Sequence, residues 1–187
     1  RKGPYIHGEA FVYCGELEFI LLGDQYFSNV ANIAPVSTTV PSIFHSDIMP
    51  DITKELKRII KLVGYKTGGL NIEIIRGENN KIYFNEIGAR NGGNFMPDLV
   101  SMATGFKMAE ANVNTAIGEY VDLSYHKTSG KFYAQLILHS HKTGILQSFN
   151  RGTKFEKNLK FQKIYYKKGD LVHKYTDSRF VTGVEIF

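Results

Sequence analysis

Gly68-Gly-Leu-Asn-Ile-Glu-Ile-Ile-Arg-Gly-Glu-Asn-Asn-Lys-Ile-Tyr-Phe-Asn-Glu86 is the stretch that decides the fold. Two apolar runs flank Asn79-Asn80. Asparagine tolerates positive φ, so the pair suits the type I′ turn of a tight hairpin. A turn centred there sets Glu78 against Lys81, Ile75 against Phe84 and Glu73 against Glu86, and a longer loop closing at Gly77 and Ile82 keeps that register. Glu73 and Glu86 then become direct cross-strand neighbours, with Cβ atoms about 4.5–5.5 Å apart. Like charges placed that way repel unless one carboxyl is protonated or a cation is shared. Hard divalent cations take carboxylate oxygens, and Mg²⁺ commonly takes one or two of them together with nucleotide phosphates. The plainer alternative is a hairpin whose acids simply face water.

Period-two alternation puts Asn71, Ile75, Phe84, Gly88 and Arg90 on the same side as the glutamates. Ile72, Ile74, Tyr83 and Ile87 point the other way and read as core. Gly88-Ala-Arg90-Asn-Gly92-Gly93-Asn94 follows the acidic strand and precedes a helical pattern. Glycines allow a ligand to approach the backbone closely, and a helix N-terminus favours an anion. Arg90 can make bidentate contacts to phosphate or carboxylate. The alternative is a glycine-rich connection with Arg90 in a surface ion pair. The segment lacks the Gly-Lys-Ser/Thr of a Walker A loop.

Working outward, residues 8–27 read as two strands around Cys14-Gly15. Residues 28–50 carry Pro35, Pro41 and Pro50 and read as a loop or lid-like segment. Ile52, Leu56, Ile59, Ile60 and Val63 recur at helical spacing over 51–66, with Asp51 as cap and Gly64 or Gly68 as terminator. Residues 96–118 suggest two helices broken near Thr104-Gly105, the second with Met108, Ala109, Val113 and Ala116 on one side. From Lys131 on, strands punctuated by glycine dominate. The expected class is therefore α+β: a mainly antiparallel sheet with flanking helices over 1–124, then a β-rich subdomain over 125–187.

Composition sets outer bounds. Hydrophobic residues are 43% and charged residues 22% of the 187, ordinary for a globular chain with a real core. No window approaches a membrane span of roughly 18 apolar residues. The one cysteine, Cys14, excludes a disulfide framework, points to a reducing cytoplasm and is expected to be a small buried hydrophobe. Net charge is +5, with Lys154, Lys157, Lys160, Lys163, Lys167 and Lys168 concentrated late in the chain. A solvated face fits them, as does a nucleic-acid surface or an anion-attracting field around a phosphate substrate, though no nucleic-acid-binding motif accompanies them. His139 and His141 share a strand face, where a metal pair or an ordinary exposed or core pair fits. Ser101 has no nearby His or Asp for a hydrolase triad.

Asn71-x-Glu73, Glu86-Ile-x-x-Arg90, Pro97, Ser101-x-x-Thr104-Gly105 and Ala116-x-Gly118 together resemble the ATP-grasp domain of the carbamoyl phosphate synthase large subunit. Biotin carboxylase and L-amino-acid ligases share the same skeleton. The resemblance covers roughly residues 5–120. It implies that Glu73 and Glu86 hold Mg²⁺ (or Mn²⁺) on ATP and that Arg90, the catalytic residue, faces phosphate or an acyl-phosphate. It also implies that Ile75 lines the adenine and that His7, Glu9 and Asn71 lie at the nucleotide. Where the family often has a further Asn ligand this chain has Gly88, which implies a two-carboxylate site completed by water or phosphate. The later strands resemble the accessory β-rich region of several such ligases.

The implied activity is ATP-dependent activation of a small carboxylate as an acyl-phosphate for attack by an amine or related nucleophile. Asn94, Phe95 and Arg151 are candidates to line the substrate pockets. The family also needs an upstream domain and a phosphate-binding lid, so this chain is expected to be inactive alone. A homodimer is compatible with the sequence. The competing reading is a non-catalytic interaction module on a vestigial ATP-grasp fold, which the loss of Asn at Gly88 favours.

Overall fold

The structure, a computed structural model, describes residues 3–28, 31–126, 128, 130–150 and 152–187. Chain contacts divide it into two units, Arg1–Asp24 with Thr39–Phe132, and Gln25–Thr38 with Tyr133–Phe187. In chain order the elements are β1 (Tyr5–Tyr13), β2 (Glu16–Ser28), β3 (Ala31–Val40), α1 (His45–Val63), β4 (Gly68–Arg76), β5 (Ile82–Gly88), α2 (Met96–Thr104) and α3 (Met108–Ile117). They continue with β6 (Tyr133–His139), β7 (Gly144–Ile145), α4 (Thr153–Glu156), β8 (Phe161–Ile164), β9 (Leu171–Val172) and β10 (Val181–Ile186). The architecture is α+β, as the sequence pattern requires.

In the first unit, neighbouring strands run in the order β5-β4-β1-β2. β1 and β2 are joined by Cys14 and Gly15, both at positive φ (51° and 87°), as a type I′ hairpin turn needs. Cys14 is therefore exposed at a turn, not buried as its strand-like setting suggested. Ile48, Ile52, Leu56 and Ile60 recur every fourth residue along α1 and are buried. They pack on Ile6, Ala10 and Val12 of β1 and Leu70, Ile72 and Ile74 of β4, the even-numbered face of both strands. The odd-numbered face carries Phe11, whose ring meets Phe106 edge-on at 5.5 Å, with Phe19 4.6 Å from the same ring. Leu99, Val100, Ala103, Met108 and Ala111 of α2 and α3 are buried.

Three local expectations change. The expected loop over 28–50 contains β3 and the first turns of α1. Val36, Thr38 and Val40 supply the β-branched character that Pro35 and Pro41 obscured. Asp51 lies inside α1 and caps nothing. The helix entry is organised instead by Asp24 of β2, which accepts hydrogen bonds from Ser42 Oγ (2.6 Å) and the Ile43 N–H (2.9 Å). The Ser42 hydroxyl in turn accepts from the Phe44 N–H (3.1 Å). Along α3 the buried residues are Met108 and Ala111, whereas Val113 is exposed. Gly64 ends α1 in the left-handed conformation (φ 67°), and Gly105 and Gly118 do the same for α2 and α3.

In the second unit β10 lies between β6 and β8, antiparallel to both, and all six of its residues are buried. β3 neighbours β6, and β7 pairs with β9. Buried Glu185 of β10 accepts a hydrogen bond from Gln162 Nε2 of β8 (2.7 Å).

Truncating a side chain fully buried between β4 and α1 tests this core. Ile72→Ala is expected to cost about 2–5 kcal/mol, read from the midpoint of denaturant unfolding.

Candidate functional site

β4 is paired on both edges, and its register assembles the site. Three rungs cross β1, β4 and β5: Tyr5–Ile75–Tyr83, then His7–Glu73–Glu86, then Glu9–Asn71–Gly88. Directly opposed residues share a face, so the acidic pair, His7, Glu9, Asn71 and Ile75 form one patch. All six residues singled out on these strands are thus brought together, and Arg90 follows two residues beyond the third rung.

The hairpin reaches this register by a route the sequence did not show. A 3₁₀ turn over Glu78–Asn80, with Asn80 at φ 60°, closes the loop, and the Gly77 N–H donates to Lys81 O (2.8 Å). Next to the turn, Ile74 pairs with Phe84 and Ile75 with Tyr83. The expected pairing of Ile75 with Phe84 is therefore off by one. A bulge at Asn85 takes up one extra residue and restores Glu73 opposite Glu86. Tyr83 and Phe84 exchange faces as a result: Phe84 packs on the α1 core and Tyr83 joins the site rung. The bulged Asn85 aims its Nδ2 at Glu73 Oε2 (3.2 Å).

Burial falls steeply across the patch. Glu9 is 1% exposed, and His7 and Asn71 are also buried. The Glu86 side chain is 57% exposed, and Arg90 approaches it at 3.9 Å. A pair that long and that exposed adds little stability. Arg90 also donates from Nη1 to Asn91 O (3.0 Å). Glu73 and Glu86 thus offer hard oxygens on one accessible face, a donor set that fits Mg²⁺ retaining several waters. Asn94 and Phe95 both adopt the left-handed region (φ 54° and 63°) at the entry to α2. Arg151 lies outside the described residues.

Sequence reasoning missed what fixes the glycine-rich connection. Asn112 of α3 donates from Nδ2 to Asn91 Oδ1 (2.7 Å), while its Oδ1 accepts the Gly69 N–H (2.9 Å). A Cβ at Gly69 would overlap Asn91 Oδ1, and one at Gly92 would overlap Glu9 Oε1 and lie 2.9 Å from Met96 Cβ. The signal in the sequence was Gly68-Gly69 opening β4, two glycines at the start of a strand where bulk would be usual. Elsewhere, the His139 and His141 rings lie 5.3 Å apart. Among the described residues no group of three or more His, Cys, Asp or Glu could hold a metal ion, and no helix is long and apolar enough to cross a membrane.

The chain has an ATP-grasp fold, as its likeness to solved structures shows. It is similar to phosphoribosylglycinamide synthetase from Anaerococcus prevotii, with 23% identity and a TM-score of 0.81, over 100% of this chain and 48% of that one. It is also similar to L-amino acid ligase from Bacillus licheniformis, with 18% identity and a TM-score of 0.76, over 98% of this chain and 48% of the other. A third similar structure is the biotin carboxylase domain dimer of Hydrogenobacter thermophilus 2-oxoglutarate carboxylase, solved with MgADP, ADP and bicarbonate. There identity is 15% and the TM-score 0.71, over 98% of this chain and 41% of that one. The chain spans about half the length of these proteins. No family model and no curated protein matches it.

The two glycines of the connection should differ in tolerance. Gly92→Ala is expected to cost about 1–3 kcal/mol through overpacking. Gly93→Ala, which meets open space, should stay within about 0.5 kcal/mol of wild type in the same denaturation measurement.

Proposed function

We propose that this chain supplies the metal- and nucleotide-binding half of an ATP-dependent carboxylate ligase. The observation that carries the reading is the rung setting Glu73 directly opposite Glu86 on an accessible face. Glu73 and Glu86 are the Mg²⁺ (or Mn²⁺) ligands, with water or phosphate oxygens completing the shell. The ion, when bound, offsets phosphate charge during transfer of the γ-phosphoryl group to a carboxylate.

The chain's own residues bind and orient. Ile75, with Tyr83 beside it on the same rung, offers an apolar platform for a base. His7 and Asn71 form the polar floor behind the acidic pair. Among the described residues the Arg90 guanidinium meets a long ion pair with Glu86 and the Asn91 carbonyl, so it can turn toward a phosphoryl or carboxylate oxygen. No covalent protein nucleophile is called for: a carboxylate oxygen takes the γ-phosphoryl group of ATP with release of ADP, and an amine then attacks the acyl carbon and expels phosphate. The likeness to carboxylate–amine ligases supports this class of reaction, and an exposed lone thiol suits a reducing cytoplasm.

Calorimetric titration of the chain with ADP tests the reading. Mg²⁺ is expected to tighten ADP binding, and Glu73→Gln or Glu86→Gln should each weaken the Mg²⁺-dependent binding by about 10-fold or more. ADP binding that is the same in EDTA and untouched by both substitutions would contradict it.

A further inference from the structure

We infer that Glu9 is a positioning residue that pins the glycine-rich connection, and through it Arg90, to β1 and β4 by way of the Gly92 amide. The consequence for Arg90 rests on the function proposed above; the pin itself does not. Burying an ionised carboxylate costs several kcal/mol unless hydrogen bonds replace its water. Glu9 meets that condition with three donors. Its Oε1 accepts from His7 Nε2 (2.7 Å) and Asn71 Nδ2 (3.0 Å), and its Oε2 accepts from the Gly92 N–H (3.1 Å). An ionised carboxylate only accepts, so the His7 tautomer that fits carries its proton on Nε2. Both oxygens are engaged by the protein and the side chain is closed to solvent, so a ligand could reach it only by opening the site.

The third donor belongs to a different element from the other two. His7 and Asn71 stand on β1 and β4 beside Glu9, whereas Gly92 is in the turn between β5 and α2. β5 fixes the near end of that turn by its ladder with β4, and the Gly92 amide fixes it four residues on. Arg90 lies between the two anchors, with its N–H donating to Gly88 O (2.9 Å). Asn112 holds the intervening Asn91 from α3. Glycine at 92 is then required because Glu9 Oε1 occupies the space a Cβ would take. Arg90 is thus loosely held at its tip but firmly held at its backbone, as a group that must find a transient charge would be.

Glu9→Gln keeps the shape but offers one oxygen and an NH₂ to three N–H donors, so the pin weakens. Amide hydrogen exchange over 88–95 should accelerate by about 10-fold or more while β4 and α1 keep wild-type protection. Unchanged exchange in that segment would overturn the inference. The second arm measures Mg·ADP affinity in wild type, Glu9→Gln, Arg90→Ala and the double variant. If Glu9 acts through Arg90, its substitution adds no further loss once Arg90 is gone. Independent, additive losses would mean that Glu9 touches the ligand itself and would overturn the positioning role. If wild type binds no Mg·ADP, the functional reading fails and the exchange arm still decides the pin. Should Glu9→Gln not fold, wild-type exchange decides: a Gly92 amide as fast as an unstructured glycine overturns the inference, and protection of about 10-fold or more supports it.

Discussion

Two carboxylates directly across a strand pair repel, and the register that forces Glu73 against Glu86 is the constraint on which the rest of the site depends. A slip of one residue would send the two side chains to opposite faces and leave no site. The hairpin guards against that slip in two places. The 3₁₀ turn at Glu78–Asn80 offsets the strands, and the bulge at Asn85 reverses the offset before Glu86 is reached. The bulge also turns Asn85 onto Glu73, so the irregularity contributes a hydrogen bond to the acidic pair as well as its alignment.

Around that rung the fold grades from dry to wet. The even-numbered positions of β1 and β4 are closed by α1, and the Phe11 end of the odd face is closed by Phe106 and Phe19. Glu9, His7 and Asn71 occupy the boundary, where a charge is still affordable because every donor is in place. Glu73 and Glu86 stand beyond it, near enough to the low-dielectric interior to strengthen their pull on a cation and open enough to admit one. The ATP-grasp skeleton thus places an acidic rung at the rim of a covered sheet.

Much of this was legible in the residues because it is local. The α1 stripe and the breaks at Gly64 and Gly105 follow from periodicity and turn chemistry within about twenty residues, whereas the expected Glu73–Glu86 pairing is met by a different turn and a compensating bulge. What was hidden depends on distant partners. α1 begins at His45 because Asp24 of β2 accepts the Ile43 N–H and holds Ser42, whose hydroxyl accepts the Phe44 N–H; Asp51 lies too far into the helix to cap it. β3 was masked by Pro35 and Pro41, although its β-branched residues carry the strand. The exchange of Tyr83 and Phe84 follows from a bulge that no alternation rule reveals. Asn112 reads as an ordinary helix residue, and Glu9 as a residue at the nucleotide, until the turn they hold is folded beside them.

The central claim is that Glu73 and Glu86 store a repulsion that a shared cation relieves. Equilibrium unfolding of wild type and Glu73→Gln, each in EDTA and in saturating Mg²⁺, tests it most directly. The account predicts that the substitution is neutral or stabilising by up to about 1 kcal/mol in EDTA. It also predicts that Mg²⁺ stabilises wild type progressively with concentration and leaves the variant unmoved. Equal Mg²⁺ responses in the two proteins, or a variant clearly less stable in EDTA, would contradict it.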